Sequence, residues 1–259
     1  MLKELPIATR SLIFINVGVF ILTLLLSYLE ITDLSYILGS YYPGSPLFHF
    51  WQPFTHLFIH AGISHLLFNM LALFMFGGMI ERILGTKRFL ILYFVAGFGS
   101  FILFNAQSYF SIHNLEENVI TTLGISPEIL AQITGSIKMD ALGNITGSEI
   151  INRVPILMDL VSEYLRPMMG ASGAIYGVLI AFGMFFPNAG LMIIFIPYPI
   201  KAKYFIPGII VLEIILGLMN LSWNPIAHFA HLGGAVAGFL LILYWKKRGL
   251  TIPSYNGTI

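Results

Sequence analysis

Two short stretches of this chain hold the residue types that hydrolysis by a serine needs. The first is Gly170-Ala171-Ser172-Gly173-Ala174-Ile175-Tyr176-Gly177, and the second is His228-Phe229-Ala230-His231-Leu232-Gly233-Gly234-Ala235-Val236-Ala237-Gly238. A serine hydroxyl becomes a nucleophile when a base within hydrogen-bond reach takes its proton, and histidine is the usual base. Each stretch opens an apolar run, so both can lie at one depth on one side of a membrane. Gly173 and Gly177 are four residues apart, as are Gly234 and Gly238, and small residues at that spacing let two membrane helices bring their backbones close. His231, Gly234 and Gly238 follow i, i+3, i+7 and share a helix face. Ser172 borders the other glycine stripe, so packing of the two stripes brings it to His231. Tyr176, one turn after Ser172, is placed to buttress the imidazole. Taken singly, a serine among glycines is most often a packing residue and a histidine at a helix end an interfacial one. The two motifs together, at one depth and with matching stripes, favour catalysis.

A third cluster comprises His56, His60, His65 and Asn69. His65 and Asn69 are i, i+4 and share a face. An imidazole N–H and a primary amide can both donate to the oxyanion of an acyl-transfer intermediate. Three histidines also invite a metal, but no carboxylate or thiolate completes the set and there is no His-Glu-x-x-His. Hydrogen bonds that tie down the preceding loop are the favoured reading of His56 and His60, with neither metal nor cofactor expected.

The elements that must position these residues are membrane helices. Of 259 residues 57% are hydrophobic and 10% charged, and net charge is +1. Soluble domains carry about 25% charged residues, and the mean hydropathy of +0.86 points to lipid around much of the surface. There is no basic patch for nucleic acid. The absence of cysteine excludes disulfides, thiolate metal sites and a cysteine nucleophile. Six segments can cross a bilayer, at about 11–29, 65–84, 89–107, 170–186, 204–221 and 228–245. The first is too long for a signal peptide and lacks a small-residue cleavage site, so it is expected to be retained. Leu191–Ile200 is apolar but short and carries Pro197 and Pro199, which makes it an interfacial connector.

With six spans, ten bases fall on one side (Lys3, Arg10, Arg82, Lys87, Arg88, Lys201, Lys203, Lys246, Lys247, Arg248) and three on the other (Lys138, Arg153, Arg166). The positive-inside rule makes the first side cytoplasmic, with both termini there and the Ser172 and His231 motifs opening to the outer face of a cell (inner) membrane. One acid, Glu213, is left inside a span and needs a partner. With nothing catalytic near it in sequence, it reads as structural. Two outer segments are long. Residues 30–64 are aromatic enough to lie in the interface (Tyr36, Tyr41, Tyr42, Phe48, Phe50, Trp51, Phe54). Residues 108–168 hold seven acids and three bases, with helix-like stretches at Pro127–Ile133 and Ser148–Tyr164, and form an insertion of one membrane domain spanning 1–259.

In these motifs the chain resembles the rhomboid family of intramembrane serine proteases. The similarity runs through Trp51–Asn69 with its His-x3-His-x4-His-x3-Asn spacing, Gly77-Gly78-Met79-Ile80-Glu81-Arg82-Ile83-Leu84-Gly85, Gly170-Ala171-Ser172-Gly173, Tyr176 and His231-x2-Gly234-x3-Gly238. The resemblance implies an all-α bundle of six membrane helices. It implies a dyad of Ser172 as nucleophile and His231 as base, with no third acid. Tyr176 stacks on His231, and the oxyanion is met by Asn69, His65 and the backbone N–H of Ser172. Gly170, Gly173, Gly234 and Gly238 support the site, and Glu81 makes structural hydrogen bonds. Substrates are transmembrane proteins, single-pass for preference, held in the lipid bilayer. The sequence departs from the family at Gln52, where many members carry arginine, and in the length of 108–168. A rhomboid-like protein that binds membrane clients without cutting them, and a small metal-handling transporter built on the histidines, are the alternatives.

Overall fold

A computed structural model describes residues 4–146, 154–193, 196–219 and 226–250. Long apolar helices dominate it. Among the described residues four are long and apolar enough to cross a membrane: Ile7–Tyr28, Ile63–Leu123, Ala202–Met219 and His228–Lys247. Their outward faces are bare hydrocarbon, with Phe14, Ile21, Leu24, Leu212, Ile215, Leu218, Phe239 and Leu240 all exposed. Such surface is stable only against lipid, and the chain is an all-α polytopic membrane protein. A fifth helix, Ser172–Phe185, is shorter. Its 14 residues rise about 21 Å, less than the roughly 30 Å hydrocarbon layer. It sits inside the bundle, with Ala174, Val178, Ala181 and Phe182 in the main core, so its ends depend on protein neighbours.

The 61-residue run Ile63–Leu123 holds the two spans expected at 65–84 and 89–107. Gly85 divides them, at φ 72° and ψ 158°, a combination that L residues avoid and glycine adopts freely. The packing shows the reversal. His65 lies against Gly170 before the break, while Ser100 and Ala96 lie against Gly173 and Gly177 after it. The chain thus descends to Gly85 and climbs back.

Three features go beyond the sequence expectations. The helix beginning after Gly85 does not end at 107 but continues to Leu123. Ile112 and Val119 keep a helical apolar stripe there and pack on Leu130, Leu157 and Leu160 of the insertion, a small second core. Within the insertion, helices Pro127–Gly135 and Pro155–Tyr164 flank a two-stranded ribbon, Lys138–Met139 with Ile145–Thr146; Ser148–Arg153 lie outside the described residues. Thirdly, the connector expected at Leu191–Ile200 contains a two-stranded ribbon, with Gly190–Ile193 antiparallel to Ile196–Lys201. Pro199 fits there because a two-stranded ribbon has only edge strands, where a missing N–H is tolerated.

Polar pins hold the frame. The Glu81 carboxylate, 2% exposed, accepts from the backbone N–H groups of Ala8 and Thr9 at 2.9 and 2.7 Å and from the hydroxyls of Thr9 and Thr86. It caps the first helix from across the bundle, where N–H groups have no intrahelical partner. Gln52 does similar work in the first loop. Its Oε1 accepts from His49 N at 3.0 Å and its Nε2 donates to Leu47 O at 2.9 Å, so a neutral amide serves at the position where the family resemblance led to the expectation of arginine.

His56 and His60 are buried in that loop. Burial pushes both imidazoles down to about 3, with His65 adding to the effect at His60. In the unfolded chain they titrate near ~6.5. Below that value the unfolded chain binds protons that the folded chain refuses, so stability falls as pH drops and levels off only near the folded value. The unfolding temperature in detergent is expected to fall between about pH 7 and pH 5, above the carboxylate range. His56→Gln is expected to flatten that slope; an unchanged slope would show that the histidine is not its source.

Candidate active site

Ser172 is placed by the strand-like approach to its helix. Ser40 and Met168 exchange backbone hydrogen bonds at 2.9 and 2.7 Å, and Gly170 N–H donates to His56 O at 3.0 Å. Gly170 has φ 114°, and a Cβ there would stand 2.7 Å from His65 Nε2. Both facts demand glycine. They also bring the His65 ring beside Ser172, whose Oγ is 3.7 Å from the same point. Ser172 is the first residue of its helix, so its N–H has no i−4 carbonyl to meet and points out of the positive helix end.

His231 reaches Ser172 because three helices are stripped to backbone where they meet. A Cβ on Gly234 would fall 1.9 Å from Gly173 O, and one on Gly238 would fall 2.6 Å from Gly177 Cα. The expected glycine stripes therefore face each other. A third helix shares the contact: Ser100 and Ala96 press on Gly173 and Gly177, and Gly99 meets Gly233. At the top of this seam His231 Nε2 lies 2.9 Å from Ser172 Oγ. The Tyr176 ring lies 4.4 Å from the imidazole and within 10° of parallel.

Asn69 is buried one turn after His65 on the same helix and donates from Nδ2 to His65 O at 2.8 Å. A primary amide carries two N–H groups, so one is left over. His65 Nδ1 accepts from Ala61 N–H at 3.4 Å. In a neutral imidazole that leaves the proton on Nε2, the nitrogen that faces Gly170. Among the described residues no hydrogen bond joins Asn69 or His65 to Ser172.

The expectation that no acid stands near the site holds along the chain and fails in space. Glu213, read from sequence as structural, accepts at Oε1 from His231 Nδ1 at 3.0 Å and from the Tyr176 hydroxyl, and its Oε2 meets His228 Nδ1. It comes from Ala202–Met219, a helix with only Ala202, Ile206 and Glu213 buried among its described residues. The usable signal was its position as the one acid left inside a span, since an intramembrane ionisable group marks a functional site by default.

This arrangement coincides with a sequence match. Residues 47–161 and 108–248 match the Rhomboid domain. The chain belongs to the rhomboid family. This rhomboid is 27% identical over 213 residues to an uncharacterized mitochondrial rhomboid protein of Schizosaccharomyces pombe, covering 77% of this chain and 53% of that one. It is 30% identical over 178 residues to the human mitochondrial presenilin-associated rhomboid-like protein, covering 64% and 46%. It is 27% identical over 194 residues to RHOMBOID-like protein 1 of Arabidopsis thaliana, covering 74% and 33%. The chain thus spans about half the length of the first two of these relatives.

Proposed function

We propose that this rhomboid is an intramembrane serine endopeptidase that hydrolyses peptide bonds in or near the transmembrane segments of other membrane proteins. The observation that carries the reading is the 2.9 Å separation of Ser172 Oγ and His231 Nε2, within the range of a general base and its nucleophile. Ser172 Oγ attacks the scissile carbonyl as its proton passes to His231 Nε2. The tetrahedral oxyanion is met by the Ser172 N–H, the second N–H of Asn69 and His65 Nε2–H. The imidazolium then protonates the leaving amine, and water attacks the acyl-enzyme with His231 again as base. A substrate helix must unwind locally, because its carbonyls are otherwise held in i→i+4 hydrogen bonds; a single-pass segment does so at least cost in neighbouring contacts. The location proposed is a cell (inner) membrane, and the excess of bases on one side supports an orientation with that side cytoplasmic and Ser172 opening outward.

The test is cleavage of a single-pass substrate in liposomes, with wild type beside Ser172→Ala and a fluorophosphonate probe. Cleavage and labelling in wild type, both lost in the variant, support the reading. A folded wild-type protein that does neither sinks it and leaves a client-binding protein. Asn69→Ala is expected to lower kcat by roughly 10- to 1,000-fold with little change in KM. A kcat within about threefold of wild type would remove that amide from the oxyanion site.

A further inference from the structure

The geometry assigns Glu213 as the positioning residue of His231, so that in this rhomboid the tautomer and orientation of the base are set by a carboxylate from a third helix. The inference rests on the protease reading above and deepens it. A neutral imidazole has one N–H, and the base needs its lone pair on the nitrogen that faces the serine. Nε2 faces Ser172 Oγ at 2.9 Å and Nδ1 faces Glu213 Oε1 at 3.0 Å. A carboxylate only accepts. It therefore fixes the proton on Nδ1, frees Nε2 to take the serine proton, and offsets the positive charge that the ring then carries.

The same carboxylate fixes the ring's orientation. Tyr176 stacks on His231 and also donates its hydroxyl to Glu213 Oε1, while His228 Nδ1 meets Oε2. Three groups thus converge on one carboxylate, whose side chain is 10% exposed beside an imidazole 12% exposed. In so dry a setting a charge–imidazole pair is far stronger than in water. A tether for the Ala202–Met219 helix alone needs no charge, since a neutral hydrogen-bonding side chain buries at lower cost. The rest of that helix is anchored by Ala202 and Ile206.

Glu213→Gln keeps the size and loses the charge and the obligatory acceptor. The test measures fluorophosphonate labelling and substrate cleavage by wild type, Ser172→Ala and Glu213→Gln in liposomes. The label's rate constant and its end-point stoichiometry are read separately. The expected result is a rate constant and a kcat lower by about 10²- to 10⁴-fold, at wild-type end-point stoichiometry and with KM within about threefold of wild type. A structural defect lowers the end point and leaves the rate constant of the remaining folded molecules unchanged; that outcome overturns the assignment. A rate constant equal to wild type overturns it too, while the protease reading stands. Wild-type protein that neither labels nor cleaves overturns both.

Discussion

His231→Ala is expected to remove both cleavage and fluorophosphonate labelling, although Ser172 is untouched. Without the imidazole the hydroxyl has no acceptor for its proton at 2.9 Å, and an alcohol at neutral pH is a poor nucleophile. In serine proteases, loss of the base alone costs about as much as loss of the whole set, roughly 10⁶-fold in kcat. The same magnitude is expected here, with KM for a transmembrane substrate little changed, because the proton transfer to the imidazole is made only in the transition state. His231→Ala that retains more than about a hundredth of wild-type kcat would mean that another group takes the proton.

The second large effect is expected at Gly234, which packs on the backbone of Gly173 and is not one of the reacting groups. An alanine there puts a carbon 1.9 Å from the Gly173 carbonyl oxygen. Backbone cannot swing aside as a side chain can, so the two helices must separate or rotate. Overpacking of this kind costs about 1–3 kcal/mol. The seam leads directly to Ser172 and His231, and a misplacement of about 1 Å costs on the order of 10²-fold in rate. Gly234→Ala should therefore lower both the unfolding temperature and kcat, measured in detergent and in liposomes respectively. Gly18→Ala is the control. Its Cβ meets nothing within 4 Å, and none of the side chains described at the site comes from the helix Ile7–Tyr28 that holds it. If Gly234→Ala behaves like Gly18→Ala, the close approach does not position Ser172 and His231.

Much of this was legible in the chain. Apolar runs of bilayer length are a local property, so they mark membrane helices without reference to a fold. The glycine pairs at i, i+4 also speak locally. A missing side chain on one face of a membrane helix has little use except to admit another backbone, and that spacing alone links Gly173 and Gly177 to Gly234 and Gly238. Ser172 and His231 follow because each adjoins such a stripe at the same end of its helix. Gln52 is visible as a departure, but its four backbone partners depend on how the first loop folds.

What the chain determined by itself, then, is what periodicity and length can carry: a polytopic helical membrane protein, the faces of two helices that must touch, and the serine and histidine at the end of that contact. Tertiary structure decided what depends on rotation and reach. Ala96, Gly99 and Ser100 join the seam only because the chain reverses at Gly85. The helix that follows Gly85 outruns its membrane span because the insertion supplies it with a second core. Glu213 stands 18 residues from His231 in sequence and 3.0 Å away in space. Sequence spacing fixes which residues share a face of one helix, whereas a contact between helices depends on their depth, tilt and rotation, which only the packed bundle sets.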